Sequence, residues 1–203
     1  MKHALKLVIA AAAGAVAFVG AARSEAVVGQ PAPEFSLRDV SGNVQRLSDY
    51  RGKTVVLEWV NPECPFVLKH YGSANIPNLQ RAATADGVIW LTINSAHPGG
   101  EGDYTPAQMA AWMEKMHGAP TAYLRDQEGK VGRLYAAKTT PHLFVITGDG
   151  TLVYDGAIDS IRSAKVGDIA RATNYVSAAL ASVKAGKPVE KPNSQPYGCS
   201  VKY

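Results

Sequence analysis

The stretch "TVVLEWVNPECPFVLKHY", residues 54–71, places an apolar run, a turn and a cysteine directly before a segment of helical composition. Residues 54–60 are nearly all apolar and rich in β-branched side chains, which is typical of a central strand covered on both faces. "NPECP" ends that run, and Pro65 suits the first turn of a helix because it has no backbone N–H. The stretch therefore predicts a strand, a turn and a helix, with Cys64 at the helix N-terminus.

Strands and helices alternate on both sides of this stretch. "VIWLTIN", residues 88–94, is a second buried strand after the helical segment, so a right-handed parallel crossover should join the two strands. Hairpins are predicted at "EFSLRDVSGNVQRL" (34–47) and at "HLFVITGDGTLVYDG" (142–156). In "TPAQMAAWMEKMHG", Thr105 should cap a helix. The chain is therefore predicted to be one α/β domain with a mixed sheet flanked by helices.

The last periodic segment, residues 166–186, predicts one helix with Asp168 as its cap. The tail that follows, residues 187–203, is rich in proline and should run extended over the surface. It carries Cys199 close to its end.

The first residues have the pattern of a secretory signal peptide. A basic start is followed by an apolar run (7–22) and by the small residues Ser24 and Ala26, which predicts residues 1–26 as the signal, with cleavage after Ala22 as the alternative. The run is shorter than the roughly 20 residues that span a bilayer. We therefore expect an exported protein, periplasmic or secreted, that has no membrane association after cleavage, with a retained anchor as the minority alternative.

Export bears on both the charge and the cysteines. Removing the signal lowers the formal net charge of +4 to about +2, so charge does not favour a nucleic-acid partner. An oxidising compartment permits disulfides, and Cys64 and Cys199 are the chain's two cysteines. His97, His117 and His142 lack the spacing of zinc ligands, so neither a metal nor a cofactor is expected.

The order of elements and several motifs resemble thioredoxin-like proteins of the redoxin branch (AhpC/TSA, peroxiredoxin-like), specifically exported members with a "CPFV" motif. The motifs are "VVGQPAPEFSLRDVSG", "YRGKTVVLEWV", "ECPFVLKHY", "AYLRDQEGKVGRLYAAKTTPHLFVIT" and the ending "YGCSVKY". The resemblance covers residues 27–203. It implies a thioredoxin-like domain over residues 27–186 with an N-terminal hairpin extension, followed by the extended tail 187–203.

The chain departs from the active-site motifs of its relatives. Thioredoxins use CxxC, but position 67 is Val, and peroxiredoxins use PxxxTxxC, whereas Leu57 and Asn61 stand at the proline and threonine positions. The vicinal partner of Cys64 is therefore missing. Cys199 is the remaining candidate for a resolving cysteine.

The resemblance also implies roles for residues around Cys64. Glu58 matches a buried carboxylate that moves protons for the thiol, although a solvent-facing or lysine-paired glutamate is the alternative. Pro141 matches a proline held in the cis form beside the active cysteine, where the backbone of Thr140 would bind an extended substrate. Asn61 and Pro65, which flank the cysteine, complete the predicted substrate-binding set, although Asn61 suits a turn or a cap equally well.

Two basic residues follow Cys64 on the same helix. Lys69 and His70 are five and six positions on, which at about 100° per residue places them off the face of the cysteine. They are predicted to form a solvated helix face.

A cysteine at a helix N-terminus has a lowered pKa, which favours a reactive thiolate over an inert buried thiol. We therefore expect an exported thiol-disulfide oxidoreductase in which Cys64 attacks a disulfide and Cys199 resolves, with protein thiols or disulfides as its partners. Peroxide reduction is the second expectation, because Asn61 replaces the peroxide-orienting threonine. A non-catalytic binding domain with inert or permanently bridged cysteines is the third. Cys199 could also act on a neighbouring subunit, and the sequence does not identify the external electron donor.

Overall fold

A computed structural model describes residues 25–203. Residues 1–24, which make up most of the predicted signal peptide, lie outside the described residues. The strands are β1 (Ser36–Asp39), β2 (Val44–Arg46), β3 (Val55–Trp59), β4 (Ile89–Asn94), β5 (Ala122–Arg125), β6 (Thr139–Thr140), β7 (His142–Ile146), β8 (Leu152–Gly156) and β9 (Cys199–Ser200). The helices are α1 (Pro65–Gly72), α2 (Asn75–Ala85), α3 (Pro106–Lys115), α4 (Lys130–Leu134) and α5 (Tyr175–Lys184).

Seven strands form one mixed sheet in the order β2-β1-β5-β4-β3-β7-β8, while β6 and β9 form a separate two-stranded sheet. β3 pairs with β4 in parallel and with β7 antiparallel, and β1 and β2 form the N-terminal hairpin. The parallel crossover, the two hairpins and the mixed α/β sheet predicted from the sequence are thus confirmed. All five residues of β3 are buried, as expected for a strand covered on both faces.

The helix ends follow local sequence signals at α3 and differ from prediction at α5. Thr105 caps α3 in a full capping box with Gln108. The single helix predicted over 166–186 is wrong, because Val166–Arg171 forms a 3₁₀ helix and α5 begins only at Tyr175, capped by Asn174.

The interruption before α5 has a tertiary cause. The backbone N–H of Thr173 donates to the Ser160 hydroxyl, and Asn174 forms an isolated antiparallel β-bridge with Asp159. These contacts hold the segment extended, so the helix cannot continue through it. Asp168, the predicted cap, instead accepts hydrogen bonds from Ser163 and from Arg171.

The tail runs extended, as its prolines predict, and it crosses the domain to reach Cys64. Asn193 forms an isolated parallel β-bridge with Asp155 of β8, and the chain then continues to β9, which pairs with β6. Within residues 25–203, no helix has both the length and the apolar character needed to cross a membrane.

Candidate active site

Cys64 lies where β3 leads into α1. It is the N-cap residue of α1, Pro65 follows at the first helical position, and the Cys64 backbone N–H donates to the Asn61 carbonyl (3.1 Å). The side chain is fully buried. Its thiol donates to the backbone oxygen of Thr140 across a 3.0 Å contact. The cysteine therefore sits at the positive end of a helix dipole, as the sequence predicts.

The tail brings the second cysteine to the first. β9 pairs antiparallel with β6, so that Cys199 is opposite Thr140, the residue whose carbonyl accepts from Cys64. The Thr140–Pro141 peptide bond is cis, as the resemblance implies. Both cysteines are free thiols, and they lie next to each other. Two residues 135 positions apart in the sequence thus form a dithiol.

Hydrogen bonds favour the thiolate of Cys64. Burial raises the pKa of the thiol, but the hydrogen bonds outweigh burial and hold the pKa below its ordinary value. They come from the side chain and backbone of Cys199, from the side chain of Thr140 and from the backbone of Val67. The Thr140 hydroxyl is buried and makes no hydrogen bond to other described residues in the dithiol form, so it is free to donate to a Cys64 thiolate. Cys64 is therefore the thiol that ionises first.

Cys199 has the opposite electrostatic setting. Burial, the contact with Cys64 and the negative charge of Glu101 raise its pKa to about 12, although Lys202 opposes this shift. Cys199 is only partly buried. Its thiol stays protonated while Cys64 is a thiolate, so the two sulfurs are unequal in nucleophilic strength.

Glu58 is the centre of a buried polar network in β3. Its Oε2 accepts hydrogen bonds from Trp90 (2.7 Å), Gln80 (3.0 Å), Tyr71 (3.2 Å) and Thr92 (3.2 Å). Its Oε1 is buried without a hydrogen-bond partner among the described residues. Burial raises the pKa of Glu58 to about 7, and the four donors moderate the shift. The carboxyl group can thus exchange a proton near neutral pH, which is what its predicted role requires.

Asn61 ties the turn before Cys64 to a glycine-rich loop. Its side-chain oxygen accepts from the Glu63 backbone N–H (2.8 Å), and its amide donates to the backbone oxygen (3.2 Å) and to the carboxylate (3.3 Å) of Glu101. These contacts orient the loop around the cysteine. The predicted substrate contacts of Asn61 and Pro65 stay predictions.

Lys69 and His70 are not a solvated face, and that prediction is wrong. Their exposed fractions are 3% and 0%, because the loop after β8 supplies Asp159 and the tail supplies Tyr197 to cover them. The Asp159 carboxylate lies 3.8 Å from both Lys69 Nζ and His70 Nε2. Burial, followed by the neighbouring Lys69, lowers the pKa of His70 to about 4. Helical spacing alone gave no sign of these partners, which lie far away in the sequence.

An open cleft of about 440 Å³ lies beside β6 and the tail. It contains Lys138, Arg162 and the pair formed by His142 and Asp155, whose Nε2 and Oδ1 are 2.7 Å apart. A larger cavity of about 940 Å³ follows β1 and α4 and includes neither cysteine. Within residues 25–203, no group of three or more His, Cys, Asp or Glu side chains is placed to hold a metal ion.

Residues 28–155 match the AhpC/TSA family. The chain belongs to this family. A curated relative, the thiol-disulfide oxidoreductase ResA of Geobacillus kaustophilus, is 38% identical over 80 residues, which are 35% of this chain and 46% of the relative. The chain thus aligns with about half the length of ResA.

Solved structures support the fold of this AhpC/TSA chain. An uncharacterised conserved protein of Geobacillus kaustophilus matches with a TM-score of 0.74 and 28% identity, over 87% of this chain and 92% of that one. A putative thiol:disulfide interchange protein, DsbE of Chlorobium tepidum, matches with a TM-score of 0.53 and 22% identity, over 64% and 85% of the two chains. The fold is therefore thioredoxin-like, as the sequence resemblance implies.

Sequence reasoning missed the residues that seat the tail. Asp159, Tyr197 and Gly198 have no motif of their own, and their importance follows from contacts with α1 and β6. The one local signal was the pair Lys69 and His70, two polar residues in a helix that packs against a sheet.

Proposed function

We propose that this protein is an exported thiol-disulfide oxidoreductase in which Cys64 is the nucleophile and Cys199 is the resolving cysteine of the same chain. The observation that carries the proposal is the pairing of β9 with β6, which places Cys199 against Cys64 and makes the pKa values of the two thiols diverge. Export is supported by the signal-like residues 1–26.

The first step uses the more acidic thiol. The Cys64 thiolate attacks one sulfur of a substrate disulfide, forms a mixed disulfide and releases the other substrate sulfur as a thiolate, which takes up a proton. In the second step Cys199 loses its proton and attacks the Cys64 sulfur. The Cys64–Cys199 bond forms and the remaining substrate thiol leaves. The substrate gains two electrons and two protons, and an external dithiol must reduce the enzyme again.

The surrounding residues fit this cycle. Cys199 must lose its proton in the second step, and we assign this proton transfer to Glu58, whose pKa of about 7 suits that task. Thr140 and the cis Pro141 would offer a backbone edge to an extended substrate segment once β9, which pairs with Thr140, moves aside. The polar cleft beside β6 would hold the flanking part of the substrate. The name of ResA, thiol-disulfide oxidoreductase, supports the same chemistry.

Peroxide reduction is the alternative reaction. Peroxiredoxins orient peroxide with a threonine, and here the corresponding Asn61 is engaged with Glu63 and Glu101. This arrangement favours disulfide exchange over peroxide reduction.

The test follows the reaction of the reduced chain with a peptide disulfide by intact mass. Wild type should become two mass units lighter, through an intramolecular disulfide, as the peptide is reduced. Cys199→Ser should stop as a mixed disulfide at Cys64, and Cys64→Ser should not react. Hydrogen peroxide serves as the parallel substrate. The proposal fails if Cys64→Ser reduces the peptide as fast as wild type, and faster consumption of peroxide than of peptide would favour the alternative.

A further inference from the structure

Cys199 is held on both sides by residues of the tail. Before it, Tyr197 has an exposed fraction of only 4%, although it belongs to a surface segment. After it, the Val201 backbone N–H donates to the Lys138 oxygen (3.1 Å), and the terminal Tyr203 hydroxyl donates to the Ala137 oxygen (2.7 Å). The resolving cysteine is therefore placed by fixed backbone rather than by a free end.

Tyr197 is held by a chain of hydrogen bonds that runs from Asn75, the first residue of α2, through His70 of α1. The Asn75 amide donates to His70 Nδ1 (2.8 Å), so the neutral His70 carries its proton on Nε2 and donates to the Tyr197 hydroxyl (3.2 Å). Tyr197 in turn donates to Asp159 Oδ1 (2.5 Å). His70 and Tyr197 thus each accept one hydrogen bond and donate one. The hydroxyl of Tyr197 thereby joins the tail to the helix that Cys64 caps.

The Tyr197 ring is fixed as well as its hydroxyl. It packs edge-on against Phe66, with ring centroids 5.8 Å apart, and Lys69 Nζ is 5.8 Å from the ring centre. Phe66 lies two residues after Cys64. The same helical turn that presents the nucleophile therefore also holds the tail two residues before the resolving cysteine.

Gly198 permits the close approach of β9 to β6. Its φ is +143°, and a Cβ there would lie 2.0 Å from the Thr140 backbone oxygen. Any side chain would thus displace the strand from the carbonyl that also accepts from Cys64. Glycine is required at this position by both conformation and space.

We propose that Tyr197 and Gly198 are positioning residues for the resolution step. Tyr197 fixes the tail on α1 through Asp159 and His70, and Gly198 lets Cys199 come within reach of the Cys64 sulfur. This inference rests on the proposed function, because it concerns the second of its two steps. It assigns the rate of resolution to residues that do not touch the reacting sulfur atoms.

The two steps should respond differently when the contacts that hold the tail on α1 and β6 are lost. Attack by Cys64 needs its own thiolate and access of the substrate to its buried sulfur, which lies beside Cys199 of the tail. Attack by Cys199 on the mixed disulfide needs a near-linear approach to the Cys64 sulfur, which fixed geometry makes fast. Loosening the tail should therefore slow resolution and leave the first step at least as fast as in wild type.

The experiment uses the reduced full chain and one equivalent of dithiobis(nitrobenzoic acid), an aromatic disulfide whose released thiolate is coloured. Attack by Cys64 releases the first equivalent of thionitrobenzoate, and attack by Cys199 on the mixed disulfide releases the second. Intact mass separates the mixed disulfide from the internal one. The two steps are thus read in one trace on one sample.

Tyr197→Phe keeps the ring and removes only the hydroxyl. We expect release of the second equivalent to slow by about tenfold or more, since the hydroxyl bonds to a carboxylate, with the first phase no slower than in wild type. Tyr50→Phe, which removes a hydroxyl bonded to Gln45 away from the site, is the control and should leave both phases unchanged. If Tyr197→Phe released the second equivalent of thionitrobenzoate at the wild-type rate, the inference would be overturned while the proposed function stayed intact.

Gly198→Ala tests the same step through the backbone. Its second phase should slow at least as much as that of Tyr197→Phe, because the strand must move off Thr140. Gly186→Ala is the matched control, since Gly186 also has a positive φ (+64°) but has open space around its Cβ position. An unchanged second phase in Gly198→Ala would contradict the inference. If wild type itself released only one equivalent and formed no internal disulfide, the proposed function and the inference would both fail.

Discussion

The two cysteines come from regions that are specified in different ways. Cys64 lies between a buried strand and a capped helix, and its neighbours within eight residues on either side define its conformation. Cys199 lies in a two-residue strand whose partners belong to β6, α1 and the loop after β8. The pKa of the Cys64 thiol is lowered mainly by hydrogen bonds from Cys199 and Thr140 of the second region, whereas the pKa of the Cys199 thiol is raised. A dithiol built this way has a fixed order of attack, because its two halves have different surroundings.

The largest expected effect is a loss of stability when a contact between the two regions is removed. Asp159→Asn removes the carboxylate beside the fully buried Lys69 and leaves that side chain without a counter-charge. Breaking a buried ion pair in this way should lower the free energy of unfolding by about 3 kcal/mol. Urea denaturation measures it, with Asp86→Asn as the control.

The control removes an ion pair on the surface, where Asp86 bonds to Lys184. Such a pair contributes at most about 1 kcal/mol. If Asp159→Asn were no more destabilising than Asp86→Asn, the buried contact between Asp159 and Lys69 would not help to hold the tail on α1.

The pH dependence of stability tests the protonation of Glu58, which lies on β3, the strand that leads to Cys64. Its pKa is raised from 4.5 to about 7 in the folded protein, so the folded state retains a proton that the unfolded state has lost. Stability should therefore fall as the pH rises from 4.5 to 7, by about 3 kcal/mol at most, and then level off. Glu58→Gln should flatten this part of the profile, as measured by thermal unfolding across the pH range.

Glu114→Gln, on the exposed face of α3, is the matched control and should keep the wild-type slope. A wild-type stability that rises with pH across this window would show that Glu58 is not held in its protonated form.

The influence of the tail on Cys64 is a smaller effect. Cys199→Ala removes the thiol that hydrogen-bonds to Cys64 but keeps the backbone of β9, so the pKa of Cys64 should rise. Alkylation of Cys64 with iodoacetamide should then require a higher pH than in wild type. Cys199→Ser keeps a hydroxyl donor in the same place and should give a smaller rise. Identical alkylation profiles for the two variants would mean that the side chain at position 199 does not act on Cys64.

The smallest expected change is at Thr140, whose side chain contributes less to the pKa of Cys64 than the Cys199 thiol does. Thr140→Val removes the hydroxyl at nearly constant volume and should raise the pKa of Cys64 slightly. Thr140→Ser keeps the hydroxyl and should match wild type. The same alkylation profile measures both variants, and a rise larger than that of Cys199→Ala would reverse this ranking.

The sequence predicts the first region well and the second poorly. β3, the turn, the Cys64 cap and the Pro65 start follow from apolar runs and capping preferences, which act over a few residues. The wrong predictions at Lys69, at His70 and for the helix over 166–186 share one cause, because each depends on contacts with the loop after β8. The need for glycine at position 198 could not be predicted from the sequence either, because it arises from the close approach of the Thr140 backbone.

A site-resolved titration of the two thiols tests the central claim most directly. The pH dependence of alkylation at Cys64 and Cys199, followed by peptide mass in the reduced chain, gives an order of ionisation. The pKa of Cys64 should lie below the ordinary thiol value of 9.0, and that of Cys199 well above it, near 12. A pKa of Cys64 at or above the ordinary value, or faster alkylation of Cys199 than of Cys64 at neutral pH, would contradict the assignment of Cys64 as the nucleophile.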